Sequence, residues 1–189
     1  MKNNYLCYRV IYKNYMKIVL KLCLLLVFIF GNGCGHTNVD ERIKKFMSSN
    51  LLVPENNVRE LIDAEFEKYN YCFISYIDPY ECVSCNMNRI VRIHEHPVMK
   101  DNSIGQIIII SADSNPEQIE MVRAYCENEI RNLVDAGNAI YDANPALAIS
   151  ACRTFMITRD YKVRWVGNPL ISKETVRLFM EGINCLKIN

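Results

Sequence analysis

The chain has 189 residues, half of them hydrophobic, and its 22 Lys and Arg nearly balance 21 Asp and Glu for a formal net charge of +1. That length holds one ordinary globular domain plus a targeting segment, and the apolar content excludes a wholly disordered chain. With no long basic run there is no cationic face for phosphates, which excludes nucleic-acid binding.

Leu22 to Phe30 is uninterrupted apolar, preceded by Lys13, Lys17 and Lys21 and followed by Gly31-Asn32-Gly33-Cys34-Gly35. Positive, apolar, then small is the order of a signal peptide, expected over residues 1–33. Nine residues at ~1.5 Å each span about half of a ~30 Å hydrocarbon core, and extending the run to Ile18 buries Lys21, so a permanent membrane span is the weaker reading. Met16 opens a signal of more conventional length than Met1. Cys34 follows the small residues and resembles the lipobox cysteine of bacterial lipoproteins. A lipid on Cys34 would hold the domain at a membrane surface of the cell envelope, facing the periplasm or the outside; the alternative is plain cleavage and a soluble product.

Of the nine cysteines, Cys7, Cys23 and Cys34 fall in the targeting region and six remain. Six cysteines in an exported protein can pair in about fifteen ways, so count alone fixes no connectivity.

Residues 34–68 read as a lipidated tether with an N-terminal helical segment. Ile43, Phe46 and Met47 form one weak helical face, Pro54 to Asn57 interrupts, and Val58, Leu61, Ile62 and Phe66 recur at helix spacing. The main domain is expected over 69–189. Tyr71 to Ile77 is continuous aromatic and β-branched, which predicts a strand buried on both faces and stopped by Asp78-Pro79. A helix follows from Cys82 to His96, with Met87, Ile90, Val91 and Ile93 on its inner side. Gln106 to Ile110 is a second buried strand. Asn115-Pro116-Glu117-Gln118 is an N-cap, a proline at the first helical position and a Gln able to reach back, and the stripe Ile119, Val122, Cys126, Ile130 and Leu133 carries that helix on. Ala139 to Tyr141 reads as a short strand and Pro145 to Ile149 as a helical turn. Thr154–Thr158 and Lys162–Val166 read as a hairpin, and Ser172 caps a closing helix striped by Val176, Phe179, Met180 and Ile183. The βα steps predict parallel pairing and the hairpin an antiparallel edge, hence a mixed sheet.

The segment from about Tyr69 onward resembles the thioredoxin-like superfamily, in particular short membrane-tethered redoxins of the bacterial envelope. The resemblance rests on a strand, Asp78-Pro79-Tyr80-Glu81-Cys82-Val83-Ser84-Cys85, a helix, and the late hairpin ending in Gly167-Asn168-Pro169. It implies an α/β three-layer sandwich with a mixed central sheet and helices on both faces. It also implies thiol-disulfide exchange with protein clients, an envelope electron donor and no cofactor. Cys82, at the helix start, would be the attacking thiolate, favoured by free backbone N–H groups and the helix dipole. Cys85, about one turn inward, would resolve the mixed disulfide.

Two features depart from the family. Relatives carry a cis-proline before the late hairpin strand, where this chain has Ser150-Ala151-Cys152-Arg153-Thr154; Arg153 and Thr154 stand at that substrate-docking position. Glu81 replaces the usual aromatic residue, and its carboxylate disfavours a thiolate, whereas Arg153 close to Cys82 would lower the thiol's pKa.

Other readings stay open. Cys82 and Cys85 could form a permanent disulfide in a non-catalytic binding protein, or Cys82 could reduce peroxide. Cys72 and Cys126 sit in apolar patterns and read as core; Cys152 and Cys185 carry no assigned role. His94 lies nine residues beyond Cys85, about 13 Å along a helix, too far to share a zinc ion, and no histidine downstream of His96 could serve a hydrolase or a copper site. The two histidines read as surface groups at a helix end, and no metal is expected.

Overall fold

In the computed structural model, which describes residues 36–126 and 129–187, the sheet is organised by the two apolar runs. β1 (Tyr71–Ile77) and β2 (Ile104–Ser111) are buried along their whole lengths and pair in parallel, Tyr71 beside Ile104 and Ile77 beside Ile110. β3 (Arg131–Asp135) adds in parallel outside β2. On the other side, β4 (Thr154–Thr158) runs antiparallel to β1, and β5 (Val163–Val166) antiparallel to β4. The order is β3-β2-β1-β4-β5.

Because strand side chains alternate, the central strands feed two cores. Cys72, Ile74, Tyr76, Ile107, Ile109, Phe155 and Ile157 face α1 (His36–Met47), α2 (Asn57–Phe66) and α6 (Ala139–Ala143) through Phe46, Val58, Ile62, Phe66 and Ile140. Phe73, Ile77, Ile108, Ile110 and Met156 face the opposite way. There they meet α3 (Val83–Glu95), α4 (Pro97–Asp101), α5 (Pro116–Cys126) and α7 (Lys173–Lys187) through Val83, Met87, Ile90, Ile93, Met99, Val122, Phe179 and Ile183. The result is an α/β mixed sheet with helices on both faces, the thioredoxin-like sandwich that the sequence implied.

The chain divides into two compact units at residues 40 and 41. The proposed signal, its cleavage point and Cys34 lie outside the described residues. From Glu41 on, the segment expected as a tether belongs to the domain's own unit, so the domain begins well before residue 69. Phe46, Leu51 and Val53 are buried, the Leu51 N–H donates to the Tyr161 carbonyl at 2.8 Å, and the Val163 N–H donates to the Ser49 carbonyl at 3.0 Å. This backbone pairs with the entry to β5 at Lys162 and Val163, and its apolar residues supply the reason: too few alternating positions to be read as a strand, yet enough to join the core.

Two further elements differ from expectation. α5 ends at Cys126, and Ile130 and Leu133 belong to the entry and body of β3. Residues Ala139–Tyr141 are helical, because Gly137 (φ +68°) and Asn138 (φ +54°) turn the chain and the Asp135 carboxylate accepts the Ile140 and Tyr141 N–H groups at 3.1–3.3 Å. Elsewhere the local signals act as read. Asn115 and Gln118 cap each other's N–H groups at 2.8 and 3.0 Å, and Ser172 Oγ accepts the Thr175 N–H at 3.0 Å.

Candidate functional site

Parallel strands deliver their loops to one end of the sheet, and the Cys-x-x-Cys segment lies in the loop and helix that follow the C-terminal end of central β1. Cys82 is the N-cap of α3, with extended backbone (φ −67°, ψ 103°). Its Sγ accepts the Cys85 N–H at 3.4 Å and lies 3.4 Å from the Ser84 hydroxyl. A sulfur thus occupies the place where Ser, Thr, Asp or Asn normally satisfies a free helix donor.

The two thiols are driven apart in acidity. Cys82 is held below the ordinary thiol value, first by the hydrogen bond from the Cys85 thiol, then by the Ser84 hydroxyl and the Cys85 N–H. Cys85 is pushed up, first because its proton is held by Cys82 and then by the charge of that thiolate. Of the two, Cys82 is thus the more acidic thiol and Cys85 the one that holds its proton more tightly. Cys85 does not point inward as expected: both thiols are exposed. The rotation of α3 is fixed by Val83, Asn86, Met87 and Ile90, which are buried and leave position 85 outside.

The loop before Cys82 is held by side-chain bonds within it and by partners far along the sequence. Asp78 Oδ1 accepts the Tyr80 N–H at 2.9 Å, and Gln118 Nε2, from α5, donates to the Pro79 carbonyl at 3.0 Å. Arg153 crosses from the turn before β4. Its Nη2 lies 2.9 Å from Asp78 Oδ2 and its Nη1 2.7 Å from Glu81 Oε1, while Nε donates to the Leu147 carbonyl at 2.9 Å. Ser150 Oγ donates to Glu81 Oε1 at 2.9 Å and Asn86 Nδ2 to Glu81 Oε2 at 2.8 Å. This corrects the expectation that Arg153 acts directly on Cys82. Its guanidinium pairs with two carboxylates, and neither it nor Glu81 is among the causes that lower the Cys82 thiol. Asp78 and Asn86 were not singled out from sequence as site residues; Asp78-Pro79 had read as a strand stop and as the opening of the Cys-x-x-Cys segment.

Thr154 is buried, opposite Ser75 on β1, and its carbonyl accepts the Gly167 N–H at 2.6 Å. Cys72, Cys126 and Cys152 are buried, and burial pushes all three thiols up, leaving them poor nucleophiles; Cys185 is exposed on α7. His94 Nε2 lies 3.7 Å from Glu129 Oε2, and His96 Nδ1 accepts the Val98 N–H as the cap of α4. Among the described residues no group of three or more His, Cys, Asp and Glu side chains is placed to hold a metal ion.

A mixed sheet carries a Cys-x-x-Cys pair that opens the helix after its central parallel strand, the arrangement that the resemblance to the thioredoxin-like superfamily implied. No protein-family model matches the chain, and no curated protein matches it. Among solved structures it is similar to a thioredoxin-like protein from Bacteroides caccae, with 11% identity and a TM-score of 0.45 over 62% of this chain. This chain spans 42% of that protein's length. It is also similar to a putative thioredoxin from Neisseria meningitidis (15% identity, TM-score 0.42, 64% of this chain and 78% of that one). A third is the thioredoxin domain of a thiol-disulfide oxidoreductase from Bacteroides vulgatus (10% identity, TM-score 0.40, 60% and 79%).

Proposed function

We propose that this chain is an exported thiol-disulfide oxidoreductase acting as a reductant or isomerase-like helper for envelope proteins, held at a membrane by lipid on Cys34. The observation that carries the redox reading is the asymmetry of the thiols: an exposed Cys82 whose sulfur caps α3 and is held below the ordinary thiol value, and an exposed neighbour, Cys85, pushed above it. The Cys82 thiolate attacks one sulfur of a client disulfide, the client S–S bond breaks, and the first client thiolate leaves with a proton from solvent. Cys85, giving up its proton, then attacks Cys82 Sγ and displaces the second client thiolate. Two electrons pass to the client and the Cys82–Cys85 disulfide forms; a dithiol donor in the envelope restores the reduced pair. The order of charged, apolar and small residues before Cys34 supports export and lipidation.

The experiment is capture with oxidised glutathione. A Cys85→Ala variant should accumulate a stable glutathionyl adduct on Cys82, while the parent chain passes through it to the internal disulfide. Absence of both adduct and internal disulfide would remove the exchange reading and leave a binding protein. The mass of the protein recovered from membranes tests the anchor independently, since an unmodified Cys34 there excludes it.

A further inference from the structure

An exchanging pair meets two partners in each cycle, an oxidised client that takes two electrons and a donor that returns them, and each half opens with a thiolate attacking one sulfur of a disulfide. Which sulfur of the oxidised pair the donor attacks depends on access and on which thiolate leaves more readily. If Cys85 were covered, access alone would direct the donor to Cys82. Instead Val83, Asn86, Met87 and Ile90 take the buried positions at the start of α3, and both thiols are exposed. Access therefore does not choose between the two sulfurs, and the leaving group decides.

The bond between the two thiols is lost once their sulfurs are joined, so fixed donors distinguish them in the oxidised pair. The Cys85 N–H and the Ser84 hydroxyl each lie 3.4 Å from Cys82 Sγ, where negative charge develops if Cys82 departs. As the N-cap of α3, Cys82 also meets the positive end of the helix dipole. For Cys85 the same two donors rank below every influence that raises its thiol. We propose that the two halves of the cycle enter through different sulfurs: Cys82 attacks the client, whereas the donor attacks Cys85 and displaces Cys82. The proposal rests on the exchange reading and adds the donor's point of entry. A donor thiolate attacks Cys85 Sγ, the Cys82–Cys85 bond breaks, and Cys82 leaves as the thiolate. The second thiol of the donor, giving up its proton, then attacks the donor sulfur of the mixed disulfide. The donor disulfide forms, Cys85 leaves and takes up a proton, and two electrons have passed from the donor to the pair.

The test uses the oxidised parent chain, with reduced glutathione as the probe thiol. The disulfide is opened for short intervals and quenched with excess N-ethylmaleimide, which traps the sulfur that has left. Fragmentation of the peptide holding both cysteines shows which carries glutathione and which carries maleimide. The ratio is extrapolated to zero time, before glutathione can pass between the two sulfurs. A leaving thiolate responds to its own acidity about as strongly as an attacking one, so each unit by which Cys82 is the more acidic favours attack on Cys85 by about threefold. We expect glutathione on Cys85 with maleimide on Cys82, in excess of the reverse product by about threefold. Glutathione mainly on Cys82, or shared equally, would overturn the proposal while leaving the exchange reading intact. A disulfide that glutathione does not open, with no adduct on either sulfur, would remove the exchange reading and this proposal with it.

Discussion

Phe179 offers the sharpest test of how the sheet is closed. It is 1% exposed, and its ring meets Phe73 of β1 edge-on at 6.2 Å and Trp165 of β5 edge-on at 5.0 Å. Through it α7 is fixed to both a central and an edge strand. Truncating a buried Phe to Ala costs about 3–5 kcal/mol in lost burial and residual cavity, and each well-placed aromatic pair adds about 0.5–1.5 kcal/mol within that contact. We expect Phe179→Ala to lose about 4 kcal/mol, a large part of the ~5–15 kcal/mol available to a domain. At a urea m-value of about 2 kcal/mol per molar, the midpoint should fall by about 2 M with m unchanged. Trp165 is the only tryptophan in the chain, so its emission follows the same event and should shift to the red in the folded variant as the covering ring is removed. A midpoint shift below about 0.5 M with unaltered emission would refute the packing described for α7.

Burial raises the carboxyls of Glu65 and Asp135 above their ordinary values of 4.5 and 3.8. A raised folded pKa contributes stability that is complete below the unfolded value and is lost as pH rises through the folded value. The stability of the parent relative to Glu65→Gln should therefore decline as pH rises from 4.5, although Arg131 lies 2.8 Å from the Glu65 carboxylate; a relative stability that grows with pH contradicts this. Gln118→Ala removes half of the reciprocal cap on α5 together with the bond to Pro79, and should cost about 1 kcal/mol in urea unfolding, with no loss if that cap is unformed. Cys85→Ala removes the largest support of the Cys82 thiolate and should move its alkylation profile to higher pH; an unmoved profile would deny the bond between the thiols.

Legibility in the sequence followed burial. β1 and β2 were readable because both of their faces are covered, so nearly every position is apolar. β3 was not, since Arg131 and Asn132 are partly exposed at a sheet edge and Ile130 and Leu133 continue the helical spacing of α5. The α6 helix was read as a strand because its start depends on a carboxylate four residues earlier and two left-handed residues between, not on its own side chains. At the site, the Cys pair declared itself by its place after a buried strand. Arg153 was seen to approach it, but its choice of partners rests on contacts such as that with Glu81, 72 residues away in sequence. Spacing along the chain contains no record of such a contact. The inward turn assigned to Cys85 failed for a subtler reason, that Asn86 rather than Cys85 takes the buried position beside Met87.

The central claim is that Cys82 and Cys85 form an exchanging couple, and a redox titration of the chain tests it most directly. The pair would be followed by alkylation and peptide mass across glutathione and dithiothreitol buffers of known potential. The account predicts a reversible two-electron transition at about −120 to −270 mV with Cys82 as the first thiol modified, whereas a bond that persists below about −300 mV would identify a structural disulfide and contradict it.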